Sequence, residues 1–154
     1  MMSKTLTIKK NEINSSIKLY NITLFMKTSI DTGTTLGPYS PGLEITVGND
    51  KMLFISGQLG IDQTNGNLVS ANFNEQATQV FKNIGAILEK AGYTFNNIVK
   101  LTIYLIDLKN FGAVNETCSK HFTKPFPARA TVQIAKLPKD ALIEIEAIAF
   151  KKTS

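Results

Sequence analysis

From about residue 43 onward, hydrophobic and polar residues follow regular patterns that predict seven elements of secondary structure. Runs of β-branched and aromatic residues, several with strict alternation, indicate strands, whereas apolar positions recurring every three or four residues indicate helices. A glycine, Gly92, follows the longer apolar helical pattern and predicts where that helix ends. Strands are predicted at residues 43–47, 52–56, 98–106, 128–135 and 142–150, and helices at 72–91 and 110–122.

The order of these elements, ββαβαββ, predicts an α+β domain in which two helices pack on one face of a mixed sheet. A chain of 154 residues suffices for one domain with a substantial core. We place this domain at residues 27–154 and treat residues 1–26 as an N-terminal extension.

The extension differs from the rest of the chain in composition. It contains no glycine or proline, and its apolar residues form only a weak helical stripe at Ile13, Ile17, Tyr20 and Leu24. It is either a tail, or an upstream start ahead of Met26, or a segment that targets the chain to a mitochondrion or another organelle. The absence of arginine argues against targeting, and the absence of a clean apolar stretch argues against secretion.

Charge and composition exclude several classes of function. The formal net charge is +5, of which the first 26 residues contribute +3, because Lys4, Lys9, Lys10 and Lys18 oppose only Glu12. The remaining +2 is spread along the domain, so no clustered basic surface for nucleic acid is expected. No apolar stretch is long enough to span a membrane. A single cysteine excludes an internal disulfide and favours a reducing compartment such as the cytoplasm.

Arg129 is the first candidate for chemistry. It is the only arginine beside sixteen lysines, and it lies among apolar residues in a predicted strand. A guanidinium presents a planar fork that matches a carboxylate or phosphate, which lysine does not reproduce. The alternative is a structural arginine paired with an acid of the sheet.

Glu144 is the second candidate. If the last two strands form an antiparallel hairpin, Glu144 lies opposite Arg129, and the two side chains share a face of the sheet. The neighbouring cation would then favour the ionised carboxylate, which leaves a weak base for activating water or merely a structural ion pair. Glu146 shares that face and is interpreted as an ordinary solvated acid.

Two glycine-containing turns could border a site. Residues 37–42 form a rigid Gly/Pro-rich loop that presents Tyr39, and Gly57 after Ser56 would allow a ligand to approach the backbone. His121 is interpreted as a surface or helix-end residue, and Cys118 as part of the core. No metal-binding or Ser-His-Asp constellation is predicted.

Together these segments resemble the RidA/YjgF family of reactive-intermediate deaminases, also called the L-PSP or UK114 family. The resemblance covers about residues 27–151 and rests on motifs in order along the chain: Gly-Pro-Tyr-Ser at 37–40, Phe-Ile-Ser-Gly-Gln at 54–58, Val-Asn at 114–115, Phe-Pro-Ala-Arg at 126–129, and Leu-Pro-Lys-Asp-Ala-Leu-Ile-Glu-Ile-Glu-Ala at 137–147.

The resemblance implies a chorismate-mutase-like subunit that forms homotrimers with sites between subunits, and hydrolysis of 2-imino or enamine acids to 2-oxo acids and ammonia. It implies that Arg129 grips the substrate carboxylate and that Glu144 orients and deprotonates the attacking water. Tyr39, Ser56 and Gly57 would line the pocket, and Asn115 matches a common family residue. No metal or organic cofactor is implied.

One departure from the family pattern is Thr131, at a position where many relatives carry cysteine. Any activity that depends on that thiol is in question here. Two alternative functions remain open at this stage. One is a ribonuclease or translation inhibitor, which the single histidine and the nearly neutral domain disfavour. The other is a non-catalytic small-carboxylate binder or chaperone, which would need Arg129 but no positioned acid.

Overall fold

The computed structural model describes residues 25–33, 35 and 37–152. In this part of the chain six strands form one mixed sheet, and two α-helices cover one of its faces. The strands are β1 (Phe25–Ile30), β2 (Gly42–Val47), β3 (Asp50–Leu59), β4 (Ile98–Leu105), β5 (Ala128–Gln133) and β6 (Ile143–Lys152), and the helices are α1 (Phe73–Lys90) and α2 (Phe111–His121). The predicted α+β class and its layering are confirmed.

The ends of α1 follow from its sequence. The side chain of Asn72 accepts hydrogen bonds from the backbone N–H groups of Asn74 and Glu75, at 2.9 and 3.2 Å, and so caps the first turn. Gly92, with φ +71°, takes the left-handed conformation that ends the helix. The inner face of α1 buries six apolar side chains, Ala77, Val80, Phe81, Ile84, Ile87 and Leu88, together with the polar Gln76 and Asn83.

The sheet order is β1-β2-β3-β6-β4-β5, and only the pair β4 and β5 is parallel. The expected hairpin between the last two strands is therefore wrong, because β6 lies between β3 and β4 while β5 forms an edge. The exposure of the two strands explains the difference: every second residue of β6 from Ile143 to Ala149 is buried, whereas no residue of β5 is. The strand with the more apolar face occupies the centre of the sheet.

One strand was not predicted. β1 pairs antiparallel with β2 from Phe25↔Val47 to Ile30↔Gly42, so it begins two residues before the predicted domain boundary. The remainder of the predicted extension, residues 1–24, lies outside the described residues, as do the targeting and tail hypotheses that concern it.

The two faces of the sheet differ in what covers them. Side chains of one face form the core with α1 and α2, and they include Leu53, Leu101, Ile103, Ile143 and Ile145. The other face carries no helix among the described residues. It presents apolar side chains that are more than a third exposed, including Met52, Phe54 and Val132. This division decides which of the predicted site residues can meet within one chain.

Candidate active site

Arg129 lies on the helix-covered side of the edge strand β5. It is aligned with Leu101 of β4, whose side chain is in the core, and its Nη2 donates a hydrogen bond to Asn115 Oδ1 of α2 at 2.8 Å. Its Cζ lies 5.4 Å from the centre of the Phe111 ring, at the start of the same helix. The arginine is thus held by α2 and not by an acid across the sheet.

A cavity of about 430 Å³ opens beside the Arg129 guanidinium, and its lining is mostly apolar: Leu101, Asn115, Cys118, Ser119, Phe122, Phe126 and Pro127. Cys118 is buried there, as predicted. Burial raises the pKa of the Cys118 thiol, although the nearby Arg129 acts in the opposite direction. The thiol is therefore neutral at physiological pH and a poor nucleophile. A cavity of this character suits a small carboxylate with an apolar remainder.

Thr131 follows Arg129 on the same face of β5, aligned with Ile103. Its hydroxyl oxygen is buried, and no hydrogen-bond partner for it is found within the described part of the chain. The hydroxyl therefore replaces the family's common cysteine with a stronger hydrogen-bonding group.

Glu144 lies on the opposite face of the sheet from Arg129. It is aligned with Tyr104 of β4 and with Leu59 of β3, and it alternates with the buried Ile143 and Ile145. The predicted juxtaposition of Arg129 and Glu144 is therefore wrong within one chain, since β4 separates their strands and the sheet separates their side chains. The error has one cause, the assumed hairpin of β5 and β6.

The surroundings of Glu144 also reverse the expectation about its charge. Burial raises the pKa of Glu144, and the negative charge of Glu146 raises it further. In the part of the chain that the structure describes, no cation is among the groups that shift the pKa of Glu144. A carboxylate with a raised pKa is a better proton acceptor than the weak base first expected.

Gly57 makes room for this carboxylate. A Cβ atom at Gly57 would fall 1.7 Å from Glu144 Oε1, so only glycine allows Glu144 to lie against the backbone of β3. The strand is irregular at this point: Ile55 pairs with Ala147 and Gln58 with Ile145, which sets three steps on β3 against two on β6. Such a bulge redirects the backbone beside a site.

Tyr39 and Ser56 lie in the same region. Tyr39 and Gly57 line one small cavity of about 50 Å³, and Tyr39 is 46% exposed. Ser56 fastens the loop that carries Tyr39, because its Oγ donates to Ser40 O at 2.7 Å and its N–H donates to Pro41 O at 3.0 Å. The structure thus brings Tyr39, Ser56 and Gly57 together with Glu144, as one half of the predicted site.

Asn115 belongs to the other half, with Arg129. Sequence reasoning missed two neighbours of the predicted residues. Phe111, the first residue of α2, is 42% exposed and lies beneath Arg129. Tyr104 donates a hydrogen bond to Glu146 at 3.2 Å, so Glu146 is exposed but not merely solvated. The partner of Tyr104 follows from the order of the strands, which places β6 beside β4.

His121 is the last residue of α2, which confirms its placement at a helix end. Its ring stacks on Phe81 with centroids 4.5 Å apart and contacts Phe95 at 4.8 Å. Burial lowers the pKa of His121, and the charge of Lys120 lowers it further.

No group of three or more metal-ligating side chains is found in the described ranges. None of the helices described here is long and apolar enough to cross a membrane.

Comparison with known proteins identifies the class to which this fold and these residues belong. The profile of the family described as "Endoribonuclease L-PSP" matches residues 30–151. A RutC family protein of Pyrococcus horikoshii is 46% identical over 117 residues, which cover 76% of this chain and 90% of that protein. Human 2-iminobutanoate/2-iminopropanoate deaminase is 46% identical over 116 residues, 75% of this chain and 82% of the human protein.

A solved structure agrees with these sequence matches. RidA from an Antarctic Psychrobacter is 41% identical, and the two chains superpose with a TM-score of 0.70 over 80% of this chain and 97% of that one. The chain therefore belongs to the RidA/YjgF family, also known as the L-PSP family, as the sequence motifs indicated.

Proposed function

We propose that this protein is a cofactor-independent 2-imino acid deaminase that hydrolyses compounds such as 2-iminobutanoate and 2-aminoacrylate to 2-oxo acids and ammonia. The observation that carries the proposal is that a chain of this family contains both a positioned cation for the substrate carboxylate and a carboxylate suited to accept a proton. Arg129 is held at the mouth of an apolar cavity, and Glu144 is a half-buried carboxylate with a raised pKa. Relatives that are 46% identical bear the deaminase name.

We further propose that the active site forms between subunits of a homotrimer, with Arg129 and Asn115 from one subunit and Glu144, Tyr39, Ser56 and Gly57 from the next. Two observations support this assembly. Arg129 and Glu144 face opposite sides of the sheet, so a second copy is needed to bring them together. The sheet face without helices presents exposed apolar side chains, including Met52, Phe54 and Val132, and exposed apolar side chains of this kind favour association.

In the proposed mechanism, the substrate carboxylate binds the fork of the Arg129 guanidinium. Glu144 accepts a proton from a water molecule while the water oxygen attacks C2 of the imine, which breaks the C=N π bond. The proton then passes from Glu144 to the nitrogen, which gives a carbinolamine with one hydroxyl and one amino group on C2. The hydroxyl proton moves to the amino nitrogen, the C–N bond breaks as ammonia leaves, and the carbonyl of the 2-oxo acid forms. The net reaction consumes one imine and one water. Tyr39 borders this site, and the free Thr131 hydroxyl lies on the Arg129 side.

A coupled assay with threonine dehydratase tests the activity. We expect the protein to accelerate the release of 2-oxobutanoate, and we expect Arg129→Ala to abolish that acceleration. Arg129→Lys should restore little of it, because an ammonium lacks the planar fork. An Arg129→Ala variant that is folded and as active as the wild type would refute the role of Arg129.

Glu144→Gln separates the enzyme from a non-catalytic carboxylate binder. The amide keeps the shape of the side chain but cannot accept the proton, so we expect turnover to fall roughly 100-fold or more while binding of 2-oxobutanoate persists. Full turnover by Glu144→Gln would refute the role of Glu144 as proton acceptor, whereas a wild type that binds 2-oxobutanoate without turnover would favour a binder or chaperone.

A ribonuclease activity is less well supported by the geometry. The family profile carries an endoribonuclease description, but the only histidine stacks on Phe81 and contacts Phe95, and it is not placed beside Glu144 or Arg129. We also propose a cytoplasmic location, with an organelle as the alternative. Imaging of fluorescent fusions with and without residues 1–26 distinguishes the two.

A further inference from the structure

We propose that Phe111 is a positioning residue: its ring supports the Arg129 guanidinium and directs the remaining N–H groups toward the substrate carboxylate. This inference rests on the proposed role of Arg129 in binding that carboxylate. It adds a residue that neither the motifs nor the comparisons assign.

The need for such support follows from the place of Arg129 in the fold. It lies on an edge strand and is exposed, and a free arginine side chain has many rotamers whose entropy is lost on binding. An arginine that must receive a carboxylate in one geometry gains affinity when its own geometry is fixed beforehand.

α2 supplies two contacts that together fix the guanidinium. Phe111 and Asn115 are four residues apart and therefore lie on the same side of the helix. The Arg129 Cζ lies over the Phe111 ring, 5.4 Å from its centroid, within the range of a cation–π interaction. The Asn115 Oδ1 accepts one hydrogen bond from Nη2 at 2.8 Å. Two contacts from the same side of one helix restrict the guanidinium more than either does alone.

The Phe111 contact consumes no hydrogen-bond donor. A guanidinium has five N–H groups; Asn115 accepts a hydrogen bond from one of them, and the Cys118 thiol, a weak acceptor, also interacts with Arg129. Most donors thus stay available for the fork-to-fork geometry that a carboxylate prefers. An acidic residue in place of Phe111 would hold Arg129 more strongly but would compete with the substrate.

The exposure of Phe111 agrees with this role. Val114 and Cys118, on the inner side of α2, are buried, whereas Phe111 is 42% exposed and is absent from the core. A large apolar side chain at such a site contributes little to the core, so it can be replaced without unfolding the protein. This makes the inference testable by substitution.

The test compares Phe111→Leu with Phe111→Tyr. Leucine keeps an apolar side chain without the π face, whereas tyrosine keeps the ring. We expect Phe111→Leu to raise KM for 2-iminobutanoate about three- to tenfold, with kcat within about twofold of wild type, because the lost contact serves ground and transition states equally. Phe111→Tyr should stay within about twofold of wild type in both constants. Leu108→Ala, at an equally exposed position one turn earlier (44%), is the matched control and should change neither.

A calorimetric titration with 2-oxobutanoate gives a second readout that does not need turnover. We expect Kd to rise in Phe111→Leu by the same factor as KM, with Phe111→Tyr close to wild type. Unchanged KM and Kd in Phe111→Leu would overturn the inference, as would equal losses in the leucine and tyrosine variants. A lower melting temperature in Phe111→Leu with unchanged Kd would show a structural role only.

The same experiments separate this inference from the proposed function. If the wild type binds 2-oxobutanoate but has no deaminase activity, the proposed function fails, and the Kd series alone decides the role of Phe111. If the wild type is active and Phe111→Leu behaves as wild type, the function stands and the inference fails. A wild type with neither activity nor binding overturns both.

Discussion

At the scale of single residues, Gly57 is the position where backbone geometry and proposed chemistry depend most directly on one another. Glu144 Oε1 occupies the space that any Cβ at Gly57 would need. β6 lies between β3 and β4, so the backbone that carries Glu144 is held by strand pairing on both sides and cannot easily shift to relieve such an overlap.

We predict that Gly57→Ala displaces Glu144 and lowers kcat/KM for 2-iminobutanoate roughly 100-fold or more, which is the scale of lost general base catalysis. The overlap should also lower the free energy of unfolding by about 1–3 kcal/mol. Steady-state kinetics and chemical denaturation measure the two effects.

Gly112→Ala is the control for that substitution. A Cβ at Gly112 meets no atom within 4 Å, and the residue lies inside α2, where alanine is preferred over glycine by about 1 kcal/mol. It should leave activity unchanged and raise stability slightly. Wild-type activity in Gly57→Ala would contradict the placement of Glu144.

Which residues could be recognised from the sequence depends on whether their signal is local. Arg129 was recognisable because it is the only arginine, and Glu144 because the alternation of β6 exposes it. Phe111 was not, because its partner Arg129 is distant in sequence and reaches it only through the parallel pairing of β5 with β4. The prediction that Arg129 lies opposite Glu144 failed for the same reason. It depended on the order of the strands in the sheet, which cannot be read from the alternation of apolar and polar residues.

At the scale of elements, the C-terminal end of α2 is fastened by an aromatic cluster. His121 stacks on Phe81 of α1 and contacts Phe95 in the connection that precedes β4. Phe122, the next residue, meets both phenylalanine rings edge-on. A charged imidazolium in this cluster would lose hydration, which explains the lowered pKa of His121.

The sign of the pH effect follows from that lowered pKa. The unfolded chain binds a proton at His121 near its ordinary pKa of 6.5, whereas the folded protein binds it only at lower pH. The contribution of neutral His121 to stability is therefore complete above that value and is lost as the pH falls through the folded pKa.

We predict that the wild type loses stability relative to His121→Phe as the pH falls from about 7 to about 5, and that the difference is constant above about pH 7. Phenylalanine keeps the stack but does not titrate, and the remaining titratable groups are common to both proteins. Urea denaturation at a series of pH values measures the difference. Parallel stability curves across this range would contradict the prediction.

Elements with strong internal periodicity were predicted well, and those defined by their neighbours were not. α1 combines an apolar stripe, an Asn72 cap and a Gly92 stop, all within one stretch of sequence. β1 has no comparable pattern and exists because β2 offers it a backbone edge. Consecutive strands commonly pair with each other, which is why a hairpin of β5 and β6 was assumed. Instead, the connection through α2 places β5 parallel to β4 at the edge of the sheet, and β6 lies between β3 and β4.

At the scale of the whole molecule, one sheet carries the two halves of the proposed site on opposite faces. Arg129, Asn115 and Phe111 lie on the helix side, and Glu144 and Gly57 lie on the other. A closed ring of identical subunits brings one face of each subunit to the opposite face of the next. Such a ring would cover the apolar sheet face and complete three equivalent sites at once.

We predict that two inactive variants restore activity when their subunits are mixed. Arg129→Ala still supplies Glu144, and Glu144→Gln still supplies Arg129, so a site between them contains both native groups. After unfolding and refolding of an equimolar mixture, random assembly should give about a quarter of wild-type turnover, because each site draws its two halves independently.

Either variant refolded alone should remain inactive, and so should Arg129→Ala mixed with the double variant. Light scattering confirms that the mixed species are trimers. If mixed trimers form but stay inactive, the two residues do not act across a subunit boundary, and the proposed assembly of the site is wrong.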